Sequence, residues 1–281
     1  MVLPSSFASA SAKADRLARR TTLGIGGRPE YLFEPRSAVE AAVLVGLCRK
    51  HGVPLRFLGG GSNLLVAADR IPGAVVATRR MTDIQVQADV VRVGAGTSFP
   101  GLARQAASLL VPALSGCSGI PGTVGGAVVM NAGGRFGCIA DALVAVEGVD
   151  PEGRPFHRHV APADFGYRTS PFTGVLVTAA VFRRDPTLDE DAADRLFRTA
   201  LEAKQADQPL GARSAGCIFK NPEDAPSAGR LIDEAGLKGQ RVGGAQVSDR
   251  HANFIVNDGD ATAEDMRRLI DRIRREVLEA T

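Results

Sequence analysis

The chain has 281 residues, which at roughly 150 residues per domain predicts about two domains and excludes a disulfide-stapled miniprotein. With 44% hydrophobic and 23% charged residues and a mean hydropathy of +0.01, it is composed as a soluble globular protein and not as a disordered one. A net charge of +3 is too small to mark a nucleic-acid binder, and no apolar run approaches the roughly 18 residues of a membrane span; the longest, Val175 to Phe182, is broken by Thr178.

Cys48, Cys117, Cys138 and Cys217 include no CxxC pair, and His51, His157, His159 and His251 include no HExxH, so no metal site is expected. Met1 to Ala12 lacks the charged and apolar regions of a signal peptide and reads as a disordered tail. A cytoplasmic protein with reduced thiols is expected.

Tyr31 to Phe33 reads as a short strand. Ser37 and Glu40 then form a capping box before an apolar helical face at Val43, Leu44, Leu47 and Cys48, which His51 and Gly52 stop. The strand Pro54 to Leu58 runs into Gly59-Gly60-Gly61-Ser62-Asn63 and a second apolar run, Leu64-Leu65-Val66, read as a further strand. A Rossmann fingerprint needs a helix after its glycines and a third glycine where Leu64 stands; a P-loop needs the Gly-Lys dipeptide that the chain lacks. What is left is either a nest of backbone N–H groups, with the Ser62 hydroxyl, suited to a pyrophosphate, or a tight turn.

Ala74 to Ala77, Ile84 to Gln87 and Val90 to Val93 have the β-branched character of strands, and Ser98 is placed to cap a helix through Leu110. The segment from Gly116 to Ala127 is unlike any ordinary core strand. Glycine at this density implies backbone lying directly against something flat or crowded, a planar cofactor being one candidate. An acidic, Pro-bearing linker, Asp185 to Asp191, precedes the last third of the chain, which ends in a helix from Thr262 with a Thr262 and Asp265 capping box and apolar Met266, Leu269, Ile270, Ile273 and Val277.

Five motifs in register carry a family resemblance: Leu58 to Leu65, Gly119 to Ala127, Phe165-Gly166-Tyr167-Arg168-Thr169-Ser170, Ser214 to Pro222, and Gly229 to Gly239 with His251 to Asn257. Together they resemble the UDP-N-acetylenolpyruvoylglucosamine reductase (MurB) family, in its shorter form. The resemblance implies an α+β protein with a vanillyl-alcohol-oxidase-like (PCMH-type) FAD-binding fold of two lobes, residues 21–72 and 73–188, after a tail over residues 1–20. A C-terminal α+β substrate-binding lobe over residues 189–281 completes it. Implied too are FAD as cofactor, NADPH as co-substrate, a sugar nucleotide as substrate, and a monomer that engages neither nucleic acid nor membrane.

On that resemblance Gly59, Gly60, Gly61, Ser62, Asn63 and Leu64 hold the FAD pyrophosphate. Gly119, Ile120, Pro121, Gly122, Thr123, Gly125, Gly126 and Ala127 lie along the flavin. Arg168 matches the arginine that neutralises the substrate's enolate-like charge. Cys217 stands where the family usually has a Ser proton donor; a thiol, with a pKa of about 8.5, is a stronger acid than an alcohol. Tyr167 either orients substrate or packs in a core, Lys220 and Asn221 either contact the nucleotide diphosphate or are solvated, and His251 reads as a packed or capping residue. The family's last strand, with its catalytic Glu, has no counterpart after the final helix, and Glu276 and Glu279 on that helix do not take its role. A second reading, a non-catalytic flavin or nucleotide-binding relative, rests on Cys217 and that strand.

Overall fold

In the computed structural model, which describes residues 15–281, the chain divides into two units. The first is built from Pro29–Gly60 and Pro72–Glu202, and the second from Asp15–Arg28, Gly61–Ile71 and Ala203–Thr281.

The strands β1 (Arg28–Phe33), β2 (Leu55–Leu58) and β3 (Arg70–Ala77) form one sheet in the order β1-β3-β2, with β2 and β3 parallel. The crossover into β2 is the helix α1 (Ala38–Lys50), whose first turn is capped as expected: Ser37 Oγ accepts the Glu40 N–H at 3.2 Å. The Glu40 carboxylate reaches back one residue further than the motif requires and accepts the Arg36 N–H at 2.8 Å. Its buried stripe is Ala41, Val45 and Cys48, an i, i+4, i+7 line, whereas Val43 of the expected apolar face is exposed.

The chain continues through β4 (Ile84–Val86), β5 (Val90–Gly94), the two-residue pair β6 (Gly133–Gly134) and β7 (Gly137–Cys138), β8 (Leu143–Val149), β9 (Pro155–His159) and β10 (Leu176–Arg183). All but β6 and β7 join in an antiparallel sheet ordered β4-β5-β10-β8-β9. The longest apolar run is therefore the central strand, and the Thr178 that interrupts it sits where the register against β8 slips, as in a β-bulge. Two short helices, α2 (Phe99–Arg104) and α3 (Val124–Val129), pack Phe99, Leu102, Val124 and Val128 against Val177, Ala180 and Phe182 of β10. The Ser98 cap forms, but α2 ends at Arg104 and not at Leu110: Ser108 Oγ donates to the Gln105 carbonyl, competing with the helical ladder, and Leu110 turns to φ 58°. The helix α4 (Glu190–Asp207) follows the acidic linker.

The second unit has its own sheet, β11 (Ser214–Cys217), β12 (Arg241–Val242), β13 (Ala245–Val247) and β14 (Phe254–Asn257), antiparallel in the order β11-β14-β13-β12. The helices α5 (Ala228–Glu234) and α6 (Ala263–Ala280) supply Ile232, Met266, Leu269 and Ile273 to a core with Val247 and Ile255. Both bonds of the Thr262 and Asp265 capping box are present. Among the described residues no helix is long and apolar enough to cross a membrane.

Two expectations are corrected here. Residues 1–14 of the expected tail lie outside the described residues, while Leu17–Arg20 form a 3-10 helix with Leu17 buried and its N–H on the Gly27 carbonyl. Leu64-Leu65-Val66 pairs with no strand; Leu65 packs against the second unit's core beside Leu23 and Ile25. The two units are threaded by the chain across residues 15–28 and 61–71, with Leu23 and Ile25 buried beside the α6 residues Met266 and Leu269.

Asn257 fastens this threading. Its Nδ2 donates to the Leu23 carbonyl at 2.8 Å and its Oδ1 accepts the Ala261 N–H at 3.0 Å, both buried. Asn257→Leu strands a buried carbonyl and a buried N–H, and is expected to destabilise the protein by about 2–4 kcal/mol, read as a lower urea midpoint at unchanged slope. A midpoint equal to wild type would show that water reaches both groups.

Candidate active site

At the end of β2, Gly59 and Gly60 run against Gly122 and Thr123. A Cβ on Gly59 would sit 2.5 Å from Thr123 Oγ1, and one on Gly60 2.7 Å from Gly122 Cα, so neither position admits a side chain. Gly61, at φ 68°, turns the chain and accepts the Thr22 N–H at 3.1 Å. Ser62 is half-buried, and Asn63 and Leu64 are exposed.

The segment from Gly119 to Ala127 is held by the loop after β5. Phe99 N–H donates to the Gly122 carbonyl, Val124 N–H to Thr97, and Gly125 N–H to Ala95, at 2.9 to 3.0 Å. These bonds start α3, in which the adjacent glycines serve opposite faces. Gly125 is buried, and a Cβ there would meet Ala95 Cβ at 2.9 Å; internal packing requires it. Gly126 is exposed, and outside its own helix backbone the one atom among the described residues within 4 Å of its Cβ position is Thr123 Oγ1 at 3.8 Å. That hydroxyl is buried without a hydrogen-bond partner among the described residues. An open, side-chain-free surface beside an unsatisfied hydroxyl fits a planar ligand that brings its own donor or acceptor.

At the other end of α3, three bonds tie on the turn that carries Arg168. Ser170 Oγ donates to the Val129 carbonyl at 2.9 Å, Asn131 Nδ2 to the Gly166 carbonyl at 3.0 Å, and Arg168 Nη1 to the Gly133 carbonyl at 3.1 Å. Gly166 and Thr169 bond each other across the turn, which leaves Arg168 at φ 58°. The guanidinium lies 5.5 Å from the centre of the Tyr167 ring. Tyr167 is 56% exposed, which removes the alternative that it packs in a core.

The second unit carries Cys217 at the end of β11, opposite Phe254. Gly216, at φ 75°, sits in the register slip before it, and Cys217 itself is exposed. Asn253 clamps the residues that follow. Its Oδ1 accepts the Phe219 N–H at 2.8 Å, its Nδ2 donates to the Phe219 carbonyl at 2.9 Å, and its own carbonyl accepts the Ile218 N–H. His251 Nδ1 accepts the Asn253 N–H at 3.2 Å, and burial pushes the imidazole below the usual histidine range, in keeping with a packed residue. Lys220 is exposed, and Asn221 Oδ1 accepts the Ala228 N–H at the start of α5. Neither Asn131 nor Asn253 was singled out from sequence; Asn253 lies within the His251 to Asn257 stretch, and Asn131 follows the Gly119 to Ala127 stretch by four residues. Among the described residues no cluster of three or more His, Cys, Asp or Glu side chains is placed to hold a metal ion.

Comparison with known proteins follows this division. Residues 208–281 match the family described as UDP-N-acetylenolpyruvoylglucosamine reductase, C-terminal domain, and residues 29–157 match the FAD binding domain. The UDP-N-acetylenolpyruvoylglucosamine reductase of Synechococcus sp. (strain WH7803) is 42% identical over 271 residues, 94% of this chain and 87% of that protein. This chain belongs to the UDP-N-acetylenolpyruvoylglucosamine reductase family. The Moorella thermoacetica reductase is likewise 42% identical, over 93% of this chain and 86% of its own length. The crystal structure of the Thermus caldophilus reductase superposes with a TM-score of 0.80 at 39% identity, covering 94% of each chain. The fold is accordingly the expected one, a PCMH-type FAD-binding domain followed by the reductase's C-terminal α+β domain. The FAD-binding match takes in both glycine segments, and the reductase C-terminal match takes in Cys217, Lys220 and Asn221.

Proposed function

We propose that this chain reduces the enolpyruvyl group of UDP-N-acetylglucosamine-enolpyruvate to UDP-N-acetylmuramate with NADPH, in peptidoglycan precursor synthesis. It works in the cytoplasm as a monomer. The observation that carries the cofactor is Gly126, a glycine that internal packing does not require. When bound, FAD supplies hydride transfer from NADPH to the enolpyruvyl double bond.

This chain's residues do the remaining work. The backbone of Gly59 to Leu64, with the Ser62 hydroxyl, holds the pyrophosphate, and Gly119 to Ala127 support the ring, with Thr123 Oγ1 completing a hydrogen bond to it. Arg168 spends one Nη1 N–H on Gly133 and keeps its Nε and Nη2 edge for the substrate carboxylate. There it offsets the negative charge that builds up once hydride has added to one carbon of the double bond. Cys217 holds the proton at Sγ for the other carbon. Tyr167 orients the substrate, and Lys220 and Asn221 meet the nucleotide diphosphate.

The purified protein is expected to be yellow and to release FAD, not FMN, on denaturation. A colourless protein that takes up no added FAD would overturn the reading. Arg168→Lys keeps the charge but loses the planar fork. NADPH should bleach the variant's colour at the wild-type rate, while recovery on adding substrate slows by about 10²-fold. Equal slowing of both phases would mean that Arg168 is structural. The second reading, a binding protein without turnover, is favoured by Cys217 in place of Ser. A full-length, FAD-loaded preparation that oxidises no NADPH with substrate present would establish it.

A further inference from the structure

Three non-glycine residues among those described have positive φ, and two of them, Asn131 at 41° and Arg168 at 58°, meet in one structure. An arginine does not adopt this conformation unaided, so the surrounding bonds must impose it. We propose that Asn131 is a positioning residue for Arg168: its carboxamide locks the turn so that the guanidinium is aimed before the sugar nucleotide arrives. The inference rests on the reading of Arg168 as the partner of the substrate carboxylate.

The contacts are reciprocal. Asn131 donates to Gly166, two residues before Arg168, and Arg168 donates to Gly133, two residues after Asn131. Each bond restrains the backbone that carries the other. The amide's orientation follows from its partner, since turning it over would set Oδ1 against the Gly166 carbonyl oxygen. Terminating α3 does not explain an asparagine here, because glycine would adopt the left-handed conformation at least as well. The carboxamide reaches across to the Gly166 carbonyl of the turn, which a glycine at this position could not do. By holding the loop with Asn131 and one Nη1 bond, the fold leaves the guanidinium's other edge without an acceptor among the described residues, the edge a carboxylate engages in a two-bond fork.

Asn131→Gly removes the carboxamide and keeps the helix end. It should be compared, as FAD-loaded full-length protein, with wild type, Arg168→Ala and the double variant. Three quantities are read: the dissociation constant of UDP-N-acetylmuramate by calorimetry, the rate of bleaching by NADPH, and the rate of colour recovery on adding substrate. The expected result is product binding about ten-fold weaker and recovery about 10²-fold slower, with bleaching within about two-fold of wild type. In the Arg168→Ala background the same substitution should change nothing further, because a residue that acts only through Arg168 has nothing left to act on. Asn131→Asp, which sets a carboxylate oxygen against the Gly166 carbonyl, should give the same non-additive loss. If Arg168→Ala is impaired while Asn131→Gly matches wild type, or the two losses add, the positioning role is overturned alone. Wild-type behaviour of Arg168→Ala overturns it together with the reading of Arg168.

Discussion

Gly126→Val is expected to yield a folded, colourless protein. Position 126 lies in a helix at ordinary φ, where valine is no worse a helix former than glycine. A Cβ there meets nothing closer than Thr123 Oγ1 at 3.8 Å, so the fold itself does not resist the change. What resists is the bound ring, whose place a branched side chain takes. FAD affinity should fall by at least about 100-fold, on the order of 2.7 kcal/mol, while the flavin-free protein melts within about 2 °C of flavin-free wild type. The neighbour provides the contrast: Gly125→Val drives a side chain into Ala95 and should lower the melting temperature of the flavin-free protein outright. Retained FAD binding in Gly126→Val, or equal melting losses for both variants, would remove the ring from this surface.

That contrast also marks how far the glycine segment could be read in advance. Its density announced a close approach of backbone to something, and two different neighbours account for it. Gly59, Gly60 and Gly125 are required by other parts of the protein, and Gly126 by none of them. Composition cannot separate the two cases, since a glycine facing Ala95 and one facing open space are written identically. The helix α3 was invisible for a related reason. Two glycines in six residues make a poor helix, and it forms because Thr97 and Ala95 supply carbonyls, through tertiary contacts, to its first N–H groups.

Elements whose signals are local were legible: the Ser37 and Thr262 caps, the amphipathic α6, and the β-branched runs that become β3, β4 and β5. The threading of residues 15–28 and 61–71 into the second unit was not. Leu23, Ile25 and Leu65 are isolated apolar residues without period, and the bonds that hold the first of these stretches, Thr22 to Ser214 and Asn257 to Leu23, span 192 and 234 positions. Arg168 and Cys217 were found through their motifs, whereas Asn131 and Asn253, which hold backbone atoms distant in sequence, carry no local sign of that work.

Cys217→Ala is expected to separate the two phases of the reaction most sharply. The thiol sits on a backbone fixed from outside, by the left-handed Gly216 before it and by the Asn253 clamp on Ile218 and Phe219 after it. Cys217 is exposed, so its side chain contributes little packing, and replacing it should leave stability within about 0.5 kcal/mol of wild type. If Sγ delivers the proton, Cys217→Ala should bind FAD and be bleached by NADPH normally, yet recover colour with substrate some 10²- to 10⁴-fold more slowly. Cys217→Ser, which places a hydroxyl on the same fixed backbone, should retain substantial turnover. Thiol alkylation should reproduce the alanine phenotype, and bound UDP-N-acetylmuramate should protect against it. Alanine and serine variants that both recover colour at near wild-type rates would assign the proton to another group, and Cys217 would then be a bystander at the end of β11.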